Sequence, residues 1–175
     1  MNERRDPDLT DPNLPAGTDG MASAIHNRVE LAAEQLDIAL ELFLNGRSDV
    51  SVLTLAGAAE EILGRSLERV AKQTTLQWEY AIIAPFEDSL MRRPLEWKVF
   101  IKEKNRVRNA AKHMPTPDEM KIEADLKEEA LRLLVRAYDN YRRLDLQPTE
   151  RMEEFHRWFY TNALGFEDDP AYSFA

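Results

Sequence analysis

Apolar residues recur at spacings of three and four along most of this chain, and no stretch shows the alternation of a half-buried strand. That period places apolar side chains on one face of an α-helix. Ile25, Val29, Ala32, Ala33, Leu36, Leu40, Phe43 and Leu44 form a first stripe. The spacing predicts a helix starting near Thr18 or Asp19 and stopping at Asn45-Gly46, where glycine suits the left-handed turn after a helix. Val52, Leu55, Ala56, Ala59, Ile62, Leu63, Leu67 and Val70 form a second stripe, announced by Ser48-Asp49 and running to about Gln73. Gly57 and Gly64 lie inside it. Each costs about 1 kcal/mol against alanine in a helix, so a close approach by another helix is expected there.

Residues 74–93 are less regular. Trp78, Tyr80, Ile82, Ile83 and Phe86 are apolar, but Pro85 and Pro94 interrupt them, which predicts a loop with a short helical piece. A third main helix is expected from Pro94 to His113, burying Trp97, Phe100 and Val107. A fourth begins near Thr116-Pro117 and carries Ile122, Leu126, Ala130, Leu133, Leu134, Ala137 and Tyr141 to about Leu144. A shorter fifth follows Pro148-Thr149, with Met152, Phe155, Trp158 and Phe159 as its apolar side. The expected fold class is all-α, an antiparallel bundle of four main helices with a short C-terminal helix. Residues 1–18 read as a flexible N-terminal segment, 19–164 as a single helical domain and 165–175 as an acidic tail.

The chain has no cysteine, which removes disulfides, thiolate metal sites and thiol nucleophiles. No apolar run approaches the ~20 residues of a membrane span, and the N-terminus lacks the apolar core of a secretory signal. A cytoplasmic location is expected, without membrane contact. Glu153-x-x-His156 has the spacing of a di-iron carboxylate motif but no second copy, so no metal and no cofactor are expected. His26 reads as a surface residue.

Charge is uneven. The net charge is −9, yet Met91–His113 holds eight bases and two acids, a local +6 that leaves −15 for the remainder. A polyanion would bind at that segment. Within it, "KNRVRNAAKHMP" gathers Lys104, Asn105, Arg106, Arg108, Asn109, Lys112 and His113 ahead of Pro115. Asn105, Asn109 and Lys112 or His113 share a face of an ideal helix, away from the apolar stripe. Arg108 and His113 are about 140° apart around such a helix, so they converge only where the helix loosens at its end. A guanidinium clamps phosphate with two hydrogen bonds, and an imidazole titrates near neutrality.

Arg108–His113, "RNAAKH", resembles the R-x4–6-H signature of HEPN domains, with a polar residue after the arginine. The upstream "LAGAAEEILGRSL" is similar to the second helix of many bacterial HEPN-like proteins, and the likeness covers about residues 22–144. It implies a helical, usually dimeric fold and a metal-independent endoribonuclease of toxin, anti-phage or RNA-processing systems. In such enzymes a ribose 2′-OH attacks the adjacent phosphate. By the resemblance, Arg108 and His113 are catalytic, His113 being the acid/base. Asn109, Lys112 and Glu60 support them, and Lys104, Arg106 and Asn105 bind RNA. Glu60 borders the apolar stripe whereas Glu61 points away, so Glu60 is the better placed to reach Arg108; its alternative is an edge-of-core carboxylate in an ordinary salt bridge. The implied partners are a second copy, RNA, and a cognate antitoxin or nucleotidyltransferase. Arg151 and His156 satisfy the same bare pattern. Two other functions stand beside this one: a catalytically inactive HEPN-like module binding nucleotide, RNA or protein, and a plain interaction bundle whose acidic body contacts another protein, with Arg108–His113 then a solvated helix end whose bases offset its dipole.

Overall fold

The computed structural model describes residues 23–113 and 121–166, which form seven helices and no strand. They are α1 (Arg28–Leu44), α2 (Asp49–Arg69), α3 (Thr75–Met91), α4 (Trp97–Lys104), α5 (Arg106–Lys112), α6 (Leu126–Arg143) and α7 (Glu150–Asn162). None is long and apolar enough to cross a membrane. The lead-in 1–18, the Thr18 and Asp19 caps, the Thr116-Pro117 start and residues 167–175 of the tail lie outside the described residues.

Short polar side chains set most of the helix starts. Asn27, Ser48, Thr74, Asp125 and Thr149 each accept a hydrogen bond from a backbone N–H of the following turn, satisfying a donor the helix cannot. α1 stops at the expected place, with Gly46 at φ +61°.

α2 is the central element, packed mainly between α1 and α6, with α7 against α1 and α5 against α2 and α6. The core is built by Leu36, Leu40 and Phe43 of α1, Val52, Leu53 and Leu63 of α2, Leu133, Leu134 and Ala137 of α6, and Met152 and Phe155 of α7. From the basic segment, Val107 joins this core and Phe100 is buried as well. Trp158 meets Phe43 edge-on at 5.0 Å and stacks on Phe155, which places it at the rim of this core.

Four expectations are corrected. The first helix begins at Arg28, because Asn27 caps it, and Ile25 is fully exposed. Residues 75–91 form a 17-residue helix where a loop with only a short helical piece was expected. Its start is held by a reciprocal pair, Gln77 N–H to the Thr74 hydroxyl and Thr74 N–H to the Gln77 side chain. Pro85 is tolerated inside it because the carbonyl it leaves unpaired belongs to Ala81, an exposed residue open to water. The third helix is two helices, broken at Asn105 (φ −108°, ψ 5°), and Pro94 lies outside both. The fourth starts only at Leu126, after a non-helical stretch from residue 121, so Ile122 is exposed.

Candidate functional site

Glu60, on the α2 face that meets α5 and α6, is buried and is flanked by two guanidiniums. Arg108 Nη1 donates to its Oε2 at 3.0 Å, and Arg136 Nε lies 3.6 Å from its Oε1. Glu61 points outward and pairs with Arg65 one turn on. The contrast follows from helical geometry, since consecutive residues stand 100° apart. Arg108 crosses α2 over Gly57, whose carbonyl lies 3.4 Å from its Nη1. A Cβ at Gly57 would stand 2.6 Å from Arg108 Cδ. The glycine is therefore the gap through which Arg108 reaches Glu60. Gly64 has no such role, because a Cβ there would make ordinary contacts at 3.5 and 3.6 Å.

One carboxylate between two guanidiniums leaves a local excess of one positive charge in a poorly solvated place. Amides extend the network. Arg136 Nη2 donates to Asn105 Oδ1 at 3.1 Å. Asn140 Oδ1 accepts from Thr75 N–H at 2.9 Å, and its Nδ2 is 3.5 Å from the Glu60 carbonyl oxygen. Sequence reasoning missed Arg136 and Asn140. Their signal was present, since Arg136 follows Leu133 by three and Asn140 follows Ala137 by three, which puts both on the buried flank of α6.

Asn105 was expected on an outward phosphate-facing row. It is instead buried, and its amide oxygen is occupied by Arg136. The break in the helix at this residue turns its side chain inward. Lys104 is half-buried, pairs with Glu79 at 2.8 Å and lies over the Phe100 ring. Arg106, the first residue of α5, is exposed and among the described residues pairs with Glu103 near the end of α4, at 3.4 Å. Asn109 and Lys112 are exposed on α5.

α5 ends at Lys112. His113 leaves it with extended backbone (φ −131°, ψ 137°), and its side chain is exposed. The loosened helix end is thus present, but among the described residues no hydrogen bond or ion pair joins His113 to Arg108. Arg108 faces α2 and His113 faces solvent. Lys98 and Lys102, one turn apart on α4, are exposed too, and with Lys112 they enter none of the ion pairs among the described residues. Lys98 and Lys102 belong to the basic segment of the sequence but are not among its candidate site residues.

A cleft of about 300 Å³ opens beside the buried pair, lined in part by Glu60, Thr74, Trp97, Asn105, Arg108 and Asn140. A larger one of about 550 Å³ lies on the other side of α5 and includes Lys104, Arg106, Val107 and Arg136. No group of His, Asp and Glu among the described residues could hold a metal ion. His156, of the second R-x4-H match, is buried against the Tyr138 and Tyr160 rings, while Arg151 pairs with Asp37 and Glu41 on α1. Compared with protein-family models, curated proteins and solved structures, the chain matches none.

Proposed function

We propose that this chain is a HEPN-like helical bundle acting as a metal-independent endoribonuclease, a toxin or anti-phage effector working at the C-terminal end of α5. The observation that carries the reading is the pairing of an anchored Arg108 with a released His113. Glu60 fixes the arginine from α2, while α5 stops at Lys112 and presents the imidazole to solvent. Exposed Lys98, Lys102, Arg106 and Lys112 supply the field that draws in RNA phosphate.

In this reading the ribose 2′-oxygen attacks the adjacent phosphorus and the 5′-oxygen leaves on the opposite side, giving a cyclic phosphate end. One imidazole takes the 2′-OH proton, and a second gives a proton to the departing oxygen. Attack and departure lie on opposite sides of phosphorus, so His113 of two protomers shares the work. Arg108 stabilises charge on the phosphate oxygens, and Asn109 orients them.

A specific observation favours a second reading. Arg108 is engaged with Glu60 and largely buried, which suits a structural cation in a catalytically inactive module that binds RNA through the lysines alone. The experiment that separates the two is incubation of the purified protein with mixed RNA in EDTA, beside His113→Ala. Cleavage to cyclic phosphate ends by wild type only supports the nuclease. RNA binding that weakens steeply with salt, without cleavage, supports the inactive module.

A further inference from the structure

α3 is apolar on two sides; one is covered, and the other is largely open, with the Arg143 guanidinium of α6 over the Trp78 ring. Its inner side carries Leu76 and Tyr80. Tyr80 donates to the Leu95 carbonyl at 2.7 Å and packs on Trp97 and Phe100. Its outer side carries Trp78, Ile82, Phe86 and Leu90, each four residues from the last, with 47, 53, 66 and 61% of their surface exposed. Met91, next to Leu90 in the chain, and Val99 of α4 are exposed as well. A helix hydrophobic on both sides belongs between two partners. At roughly 150–250 Å² per large side chain, these exposures leave on the order of 600 Å² of apolar surface. That is at or above the largest patch of a typical monomer, about 300–600 Å².

We propose that the outer ridge of α3 is the contact between two copies of this chain, packed as antiparallel α3 helices about a two-fold axis. Three observations select a second copy as occupant. The ridge is self-complementary: a two-fold between Ile82 and Phe86 sets Ile82 against Phe86 and Trp78 against Leu90, so each aromatic ring meets an aliphatic side chain. Residues spaced by four form the ridge type that packs on its own kind at about −50°, the commonest helix crossing.

Charge agrees with that arrangement. Arg92 and Arg93, at the far end of α3, are exposed and enter no ion pair among the described residues. The antiparallel axis carries them to the Thr75 end of the other copy. There Gln77 holds the exposed Glu68 carboxylate at 3.2 Å. Area agrees also, since the apolar ridge with this charged rim approaches the roughly 800 Å² per partner of a stable interface. The inference rests on the α3 ridge and the charged rim formed by Arg92, Arg93 and Glu68, and does not depend on RNA cleavage.

The test is sedimentation velocity of the full chain over a concentration series, with far-UV circular dichroism of each variant as the folding control. Wild type is expected to dimerise. Phe86→Glu, with unchanged helicity, is expected to raise the dimer Kd about 100-fold or more, as a charge replaces a central apolar contact. Arg92→Glu with Arg93→Glu, exposed positions that leave the fold intact, is expected to weaken the dimer, and adding Glu68→Arg is expected to restore it. Ile38→Glu on the exposed side of α1 leaves it unchanged. A wild type that stays monomeric overturns the proposal, as does a dimer unaffected by both the Phe86 and the Arg92–Arg93 changes.

Discussion

The Arg108 side chain lies across Gly57 so closely that a Cβ there would come within 2.6 Å of its Cδ. Glycine at this point of α2 is a condition for the buried Glu60–Arg108 pair, because any side chain would displace the guanidinium from its carboxylate. Two glycines of one helix therefore answer differently to the same substitution.

Gly57→Ala gains up to about 1 kcal/mol of helix propensity but overpacks against Arg108, at a cost of about 1–3 kcal/mol. A net loss of stability is expected in urea unfolding. Gly64→Ala meets only ordinary contacts, so it should raise stability by a few tenths to about 1 kcal/mol. Equal shifts for the two variants would contradict the role given to Gly57.

Glu60→Ala leaves two guanidiniums near each other without their shared carboxylate. Removing one member of a buried charged network costs about 3–5 kcal/mol. Glu61→Ala removes an exposed one-turn pair, worth about 0.3–0.5 kcal/mol. Chemical denaturation of both variants measures the contrast, and similar midpoints would remove Glu60 from the centre of the network.

His113→Ala should change stability by less than about 0.5 kcal/mol, since the side chain is exposed and beyond the last turn of α5. Under the nuclease reading it abolishes cleavage of RNA in EDTA. Arg108→Ala, in contrast, loses both stability and cleavage. Loss of cleavage without loss of stability at His113 would mark a functional residue, and unchanged cleavage would remove it from the nuclease reading.

Tyr141 gives a pH dependence. Burial, with a smaller contribution from the Asp37 carboxylate, raises its phenol above the ordinary value of 10.0. The neutral hydroxyl donates to the Gln147 carbonyl at 2.9 Å. Its contribution is complete below pH 10, where the phenol is neutral in both states. As pH rises through the unfolded value and on through the raised folded one, the unfolded chain ionises first and the contribution is lost. Tyr141→Phe should cost about 1 kcal/mol at neutral pH and flatten part of the alkaline decline in thermal unfolding.

Much of the helical framework was legible in local pattern. The end of α1 at Gly46, the Ser48 cap of α2 and the Thr149 cap of α7 follow from residues whose preferences act over a few positions. So does the inward turn of Glu60 against the outward turn of Glu61. At two places where the expectation failed, a contact outside the local pattern took part. Pro85 reads as a breaker, yet the helix through it is held by its Thr74–Gln77 cap and by Tyr80 packing on α4. Asn105 reads as one more residue of an exposed row, yet the helix breaks there and its amide turns inward to accept from Arg136, thirty-one residues later.

The sequence by itself determined that the chain is helical, where its apolar stripes run, and that its positive charge is concentrated in one segment of an acidic chain. Those properties depend on neighbours three or four positions away and on simple composition. Tertiary structure alone decided which of the segment's cations are occupied: Arg108 by Glu60, Lys104 by Glu79, with His113 left in solvent. It also decided that α3 turns a second apolar ridge outward. Ion pairs and covered faces are set by which helices meet, and that is a property of the packed chain rather than of any stretch of it.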